Sequence, residues 1–95
     1  MGVLVRNMIG TGDLSCCCDG WLKHWEKYSG QEADECCVVD CTNKAEVGGH
    51  VKKVLVGDDN PYIIPICPEH NAMEEDYWVE ESTIFVTADP ICCDN

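Results

Sequence analysis

The residues with the most chemistry in this chain form two motifs, Cys36-Cys37-Val38-Val39-Asp40-Cys41 and Cys67-Pro68-Glu69-His70. Thiolate sulfur and imidazole nitrogen are the ligands of structural zinc, and Cys3His is one of its standard closed sets. Each motif needs only a tight turn to aim two side chains at one point, and the insert between them can hold a β-hairpin. Pro68 suits the first turn of a helix, where its missing N–H is no loss. Cys67 and His70 then fall one turn apart at a helix start, where free N–H groups and the dipole favour a thiolate. The first motif offers two registers, Cys36-x4-Cys41 and Cys37-x3-Cys41, and both lie within the range of zinc knuckles. The plain alternative is a group of buried thiols, which are common in cores.

A second constellation is Cys16, Cys18, His24 and one of Cys92 or Cys93. Cys16-x-Cys18 places two sulfurs on one side of an extended segment, and His24 follows within the next helix. These residues are candidates for a second zinc site. Against this, His24 is equally read as a core-edge imidazole bonded to backbone. His50 stands in Gly48-Gly49-His50-Val51 on the first strand of the expected hairpin. A histidine there can act as general base on water beside an open metal site, with Asn71 as a companion. No Asp or His neighbours His50 in sequence to hold such an ion, so a structural histidine or an alternative zinc ligand is the simpler reading.

The elements that must position these residues follow from period and punctuation. Val3-Leu4-Val5 is expected to be a short strand. Asp19 is a plausible N-cap for a helix from Gly20 to Ser29, with Gly30 as its C′ residue. Trp21, Trp25 and Tyr28 form the helix's apolar stripe, with Leu22 and His24 at its edges. The segment from Ala45 to Val56 is strand-like and is expected to break or bulge at Gly48-Gly49. Gly57-Asp58-Asp59-Asn60-Pro61 is turn chemistry, and Tyr62-Ile63-Ile64-Pro65-Ile66 is the return strand. Pro65 cannot donate to a ladder, so its N side must face an edge. A helix is expected from Pro68 to about Asp76, and a last strand from Thr83 to Thr87. Knuckle, hairpin and ligand-bearing helix, in that order, are the parts of a treble clef. The expected fold is thus small α+β, one zinc-stabilised domain over residues 1–95, with an N-terminal Trp helix and flanking strands.

Composition limits the job more than it names it. The chain has 95 residues, nine cysteines, and six basic against eighteen acidic residues, for a formal charge of -12. Such a small domain needs staples, either metal or disulfides. The odd cysteine count, the Cys67-x-x-His70 spacing and the lack of an apolar leader near Met1 favour zinc in a reducing compartment, and hence a cytoplasmic location. No stretch approaches a membrane span. The charge opposes nucleic-acid and anionic-membrane binding. The acidic run Glu74-Glu75-Asp76 with Glu80-Glu81 is expected to be a solvated face, with a cationic partner as the alternative.

The strings Trp21-Leu22-x-His24-Trp25-x-x-x-Ser29-Gly30, Ala45-x-Val47-Gly48-Gly49-His50-Val51 and Tyr62-Ile63-Ile64-Pro65-Ile66-Cys67-x-x-His70-Asn71 resemble a family of small zinc-binding proteins related to HNH-type treble clefs. The resemblance covers about Arg6 to Cys93. It implies Cys36 rather than Cys37 at the knuckle, Cys16 and Cys18 before the Trp helix, and a C-terminal cysteine such as Cys93. It carries no enzymatic role, and fold does not fix function. The expected function is a monomeric zinc-binding structural or interaction module, with an unknown protein as possible partner. The alternatives are an HNH-like phosphodiesterase using His50, and thiol redox or metal-buffering work by the surplus cysteines.

Overall fold

Alternation along the first strand sets the architecture. Val3, Val5 and Asn7 point to one side of β1 (Gly2–Asn7), and Gly2, Leu4 and Arg6 point to the other. The computed structural model describes residues 2–8, 21–56 and 58–87. After β1 come α1 (Trp21–Ser29), β2 (Val47–Lys53), β3 (Asp58–Ile66), α2 (Pro68–Asn71), β4 (Tyr77–Glu80) and β5 (Val86–Thr87). The five strands form one sheet in the order β4-β1-β2-β3-β5, with every pairing antiparallel. The architecture is small α+β.

The two faces of the sheet carry different cores. On one face Val5, Val51, Ile64, Ile66 and Val79 are fully buried, together with Cys36, Val38, Cys67 and Tyr77. On the other, α1 packs Trp25 against Ile63 and Val86, with Trp21 beside them. Successive isoleucines of β3 thus serve opposite cores, as period two requires. The β2–β3 hairpin pairs His50 with Ile63 and Val51 with Tyr62. Pro65 meets its edge: β5 pairs only with Tyr62 and Ile63, and beyond it the Pro65 carbonyl accepts the Cys37 N–H at 3.0 Å.

Several expectations need correction. β2 runs unbroken through Gly48 and Gly49, and its register shifts between Val51 and Lys53 instead. Those glycines serve close approach. A Cβ on Gly48 would lie 2.5 Å from the Trp21 carbonyl carbon, so α1 rests on bare backbone there. In α1, His24 is fully buried rather than at the stripe's edge, while Tyr28 is the exposed member. Gly30 does adopt the left-handed conformation, with φ 76, and its N–H closes on the Glu26 carbonyl at 3.1 Å. The proposed cap Asp19 lies outside the described residues. The second helix stops at Asn71, far short of Asp76. The chain forms an unexpected strand, Tyr77–Glu80, whose alternating burial places Tyr77 and Val79 inward. The final strand shrinks to Val86–Thr87.

Candidate metal centre

The knuckle is shaped by one unusual residue. Asp40 has φ 65, a left-handed conformation that Asp tolerates better than most side chains. The turn lets the Cys41 N–H donate to the Val38 carbonyl at 3.0 Å, which folds Cys41 back toward Cys36. Val38 is also bridged to Val79, which ties the knuckle to the free edge of β4. The other pair comes from the start of α2. Cys67 occupies the N-cap with extended backbone, Pro68 follows at the first turn, and the Asn71 N–H closes on the Cys67 carbonyl at 3.0 Å. One turn of helix brings His70 over Cys67.

These elements bring Cys36, Cys41, Cys67 and His70 together, with one ligand atom from each lying within 4.8 Å of all the others. His70 presents Nδ1, 3.2 Å from the Cys67 sulfur and 3.7 Å from that of Cys36; the Cys41 and Cys67 sulfurs are 4.0 Å apart. Zn–S and Zn–N bonds of about 2.3 and 2.0–2.1 Å in a tetrahedron give edges of roughly 3.8 Å between sulfurs and roughly 3.6 Å between sulfur and nitrogen. The four donors therefore have the chemistry and spacing of a tetrahedral metal site. Cys36 and Cys67 are buried and Cys41 and His70 half-buried, as in a closed structural site. Among the described residues this is the one cluster of three or more potential ligands.

Local electrostatics differ between the thiols. Burial pushes Cys36 up to about 12, despite backbone hydrogen bonds that favour its thiolate. Burial opposes charge on Cys67 too, but there the His70 backbone and ring, the Asn43 amide and Cys36 outweigh it and bring the thiol down to about 6. Asn43 Nδ2 donates to the Cys67 sulfur at 3.7 Å. Cys37 stays outside the cluster, and burial raises it to about 12. Its backbone is engaged instead, the N–H with Pro65 and the carbonyl with Glu80.

A support for His70 escapes the motif reading. Asn7 Nδ2 donates to the carbonyls of His70, Asn71 and Met73 at 2.7, 3.2 and 2.8 Å, so one β1 side chain gathers the end of α2. Tyr77 donates its hydroxyl to Asn7 Oδ1 at 2.5 Å, and its ring lies 5.6 Å from that of His70. The sequence did hold a signal. Asn7 continues the inward series Val3, Val5, and a polar residue at an inward position needs partners.

The second constellation is only partly within view. Cys16, Cys18, Cys92 and Cys93 lie outside the described residues. His24 is fully buried, and its Nε2 sits 2.9 Å from the Thr87 carbonyl, beside the Trp21 and Tyr28 rings. His50 is buried against the edge of Trp21, with ring centroids 4.5 Å apart. Its Nε2 has no hydrogen-bond partner among the described residues, and burial, followed by the charge of His24, lowers its pKa. No helix among the described residues is long and apolar enough to cross a membrane. Comparison with known proteins finds no matching family model, no matching curated protein and no matching solved structure.

Proposed function

We propose that this chain is a zinc-binding structural or interaction module of treble-clef type, with no catalytic site of its own. The observation that carries this reading is the Cys36, Cys41, Cys67 and His70 cluster at tetrahedral spacing. Four protein ligands leave no open position for water or substrate, and that is the arrangement of zinc in structural roles. The ion joins a turn at the sheet edge to the start of a one-turn helix, neither of which has much core of its own. Structural zinc contributes on the order of 10–16 kcal/mol of apparent binding free energy, comparable to the whole stability of an ordinary domain.

A second zinc is part of the same reading, with Cys16, Cys18 and Cys93 as sulfur ligands. The carbonyl on His24 Nε2 makes that nitrogen a donor, so His24 can join only through Nδ1. The buried, unpartnered Nε2 makes His50 the competing imidazole. The phosphodiesterase reading is weaker, because it needs His50 to reach water and Trp21 lies against it.

Elemental analysis and native mass spectrometry of the protein purified without added metal test both parts. One zinc per chain, lost together with tertiary structure on strong chelation, is the result expected for the main site. Two zincs, falling to one in a Cys16→Ser/Cys18→Ser double variant, is the result expected for the second. A fully folded, reduced and metal-free chain would overturn the proposal.

A further inference from the structure

Helix α1 packs on β2, β3 and β5, and among the described residues no helix lies over the β1–β4 end of the same sheet face. Register places Leu4 opposite Trp78 and Gly2 opposite Glu80 on that face. The knuckle extends the sheet beyond β4, because the Val39 N–H donates to the Trp78 carbonyl at 3.0 Å and the Glu80 N–H to the Cys37 carbonyl at 2.8 Å. Where the knuckle meets this end of the sheet lies a groove of about 700 Å³, its apolar lining supplied by Gly2, Val38, Val39 and Tyr77. Gly2 helps to make the recess. A Cβ there would meet the Val79 carbonyl oxygen at 2.1 Å and the Val39 side chain at 3.5 Å. The volume falls within the roughly 300–1,000 Å³ of ordinary ligand sites.

Three lining residues give the groove its chemistry. Trp78 is 48 % exposed although it stands in a strand, and it offers an indole to solvent. Asp40 and Glu80, both exposed, add two carboxylates, and no basic residue lines the groove. An indole beside carboxylates suits a guanidinium, which stacks on the ring and takes two oxygens at once. The chain cannot supply that group from its undescribed segments. Its six basic residues are Arg6, Lys23, Lys27, Lys44, Lys52 and Lys53, all within the described residues, and Arg6 is already paired with Asp76. A second copy is a poor occupant, since each carries a formal charge of -12.

We infer that this groove is a docking site for an arginine side chain in a basic segment of a partner protein. The inference deepens the interaction-module reading and rests on it. Apolar lining, indole and carboxylates would hold the aliphatic stem, the guanidinium plane and its charge respectively, while the acidic surface would steer the partner inward.

The test uses the zinc-loaded full chain and a short acetylated, amidated peptide carrying two arginines spaced by glycine. A twin peptide with citrulline, neutral and nearly isosteric, is the control. Binding is read from the indole N–H resonance of Trp78 and from salt dependence. The arginine peptide should move that resonance and bind at least about tenfold more tightly than its citrulline twin, the scale of one cation–π contact with its charge partners. Trp78→Ala should abolish the preference, and Asp40→Asn/Glu80→Gln should weaken binding and flatten its salt dependence. Asn tolerates the left-handed backbone at position 40, so the double variant should keep its fold. Zinc content is measured for every variant. Equal affinity for both peptides, or arginine binding unchanged in Trp78→Ala, overturns the docking site while zinc content remains intact. Loss of zinc from the unaltered chain would instead mark failure of the module reading itself.

Discussion

Cys36→Ser should strip zinc from the protein, whereas Cys37→Ser should leave metal content intact and cost little stability. Both thiols are held largely away from water and both are pushed up to about 12, so reactivity alone does not separate them. Position does. The Cys36 sulfur lies 3.7 Å from His70 Nδ1, while that of Cys37 lies outside the four-donor cluster. Spacing alone admits either cysteine; the family resemblance pointed to Cys36, and the fold of the knuckle brings that thiol into the cluster. Zinc stoichiometry of the two variants decides it, and equal losses would show that the neighbours exchange. Asn7→Ala belongs to the same scale. It leaves the part-buried carbonyls of His70 and Met73 short of a donor, a loss of about 1–3 kcal/mol for buried polar groups. It also frees the segment that aims His70, so zinc affinity should fall by about 10–100-fold, as when other outer-shell partners are removed. Competition with a chromophoric chelator measures the affinity. The cobalt-substituted variant should show a perturbed visible spectrum if His70 has lost its orientation.

Among the elements, the close contact of α1 with β2 makes a sharp contrast between adjacent glycines. Gly48→Ala sets a methyl 2.5 Å from the Trp21 carbonyl carbon and 2.6 Å from the Leu22 nitrogen, and helix backbone cannot yield locally. Lifting the helix should cost about 1–3 kcal/mol, the usual range for overpacking, or somewhat more. Gly49→Ala meets mainly the Ile66 Cδ1 at 2.3 Å, the tip of a side chain that can rotate, so its cost should be smaller. Denaturant midpoints of the two variants test the order. The paired strands, the Trp helix and the four-donor cluster were legible in the sequence because each rests on local signals, period and ligand spacing. The hairpin turn was misplaced, since it falls at 54–56 and Asp58 to Pro61, expected as turn, already belong to β3. The end of α2 was not. Glu69, Ala72, Met73, Glu74 and Glu75 are good helix formers, and nothing local stops the helix at Asn71. Asn7, distant in sequence, captures the carbonyls of His70, Asn71 and Met73, and pairing with β1 draws Tyr77–Glu80 into the sheet. Tertiary contacts overrode propensity at both points. Likewise, the glycines of β2 suggest a bulge from sequence, and only the docked helix explains why the strand stays regular there.

At the scale of the whole molecule, charge and the engagement of His70 in the four-donor cluster together argue against work on DNA. The formal charge of -12 opposes the release of counterions that drives most non-specific DNA affinity. Its basic residues are also dispersed or engaged: Arg6 pairs with Asp76, Lys23 with Glu26, and Lys53 lies over the Tyr62 and Phe85 rings at 4.7 Å from each. No continuous track for phosphates runs through them. A nuclease of HNH type would further need His50 to activate water beside an accessible ion, and His70 serves the four-donor cluster instead. The expected outcome is no nicking of supercoiled plasmid with magnesium, manganese or nickel, and no retardation of duplex DNA at physiological salt. His50→Ala gives the assay its second reading. The His50 ring packs against Trp21, so its removal opens a space under α1 and should destabilise the protein by roughly 2–4 kcal/mol, the range for truncating a buried side chain. Metal-dependent nicking by the unaltered chain that vanishes in a folded, zinc-loaded His50→Ala would establish a catalytic histidine. Absence of nicking in both, with His50→Ala lower in melting temperature, assigns this histidine to the architecture that holds the helix on the sheet.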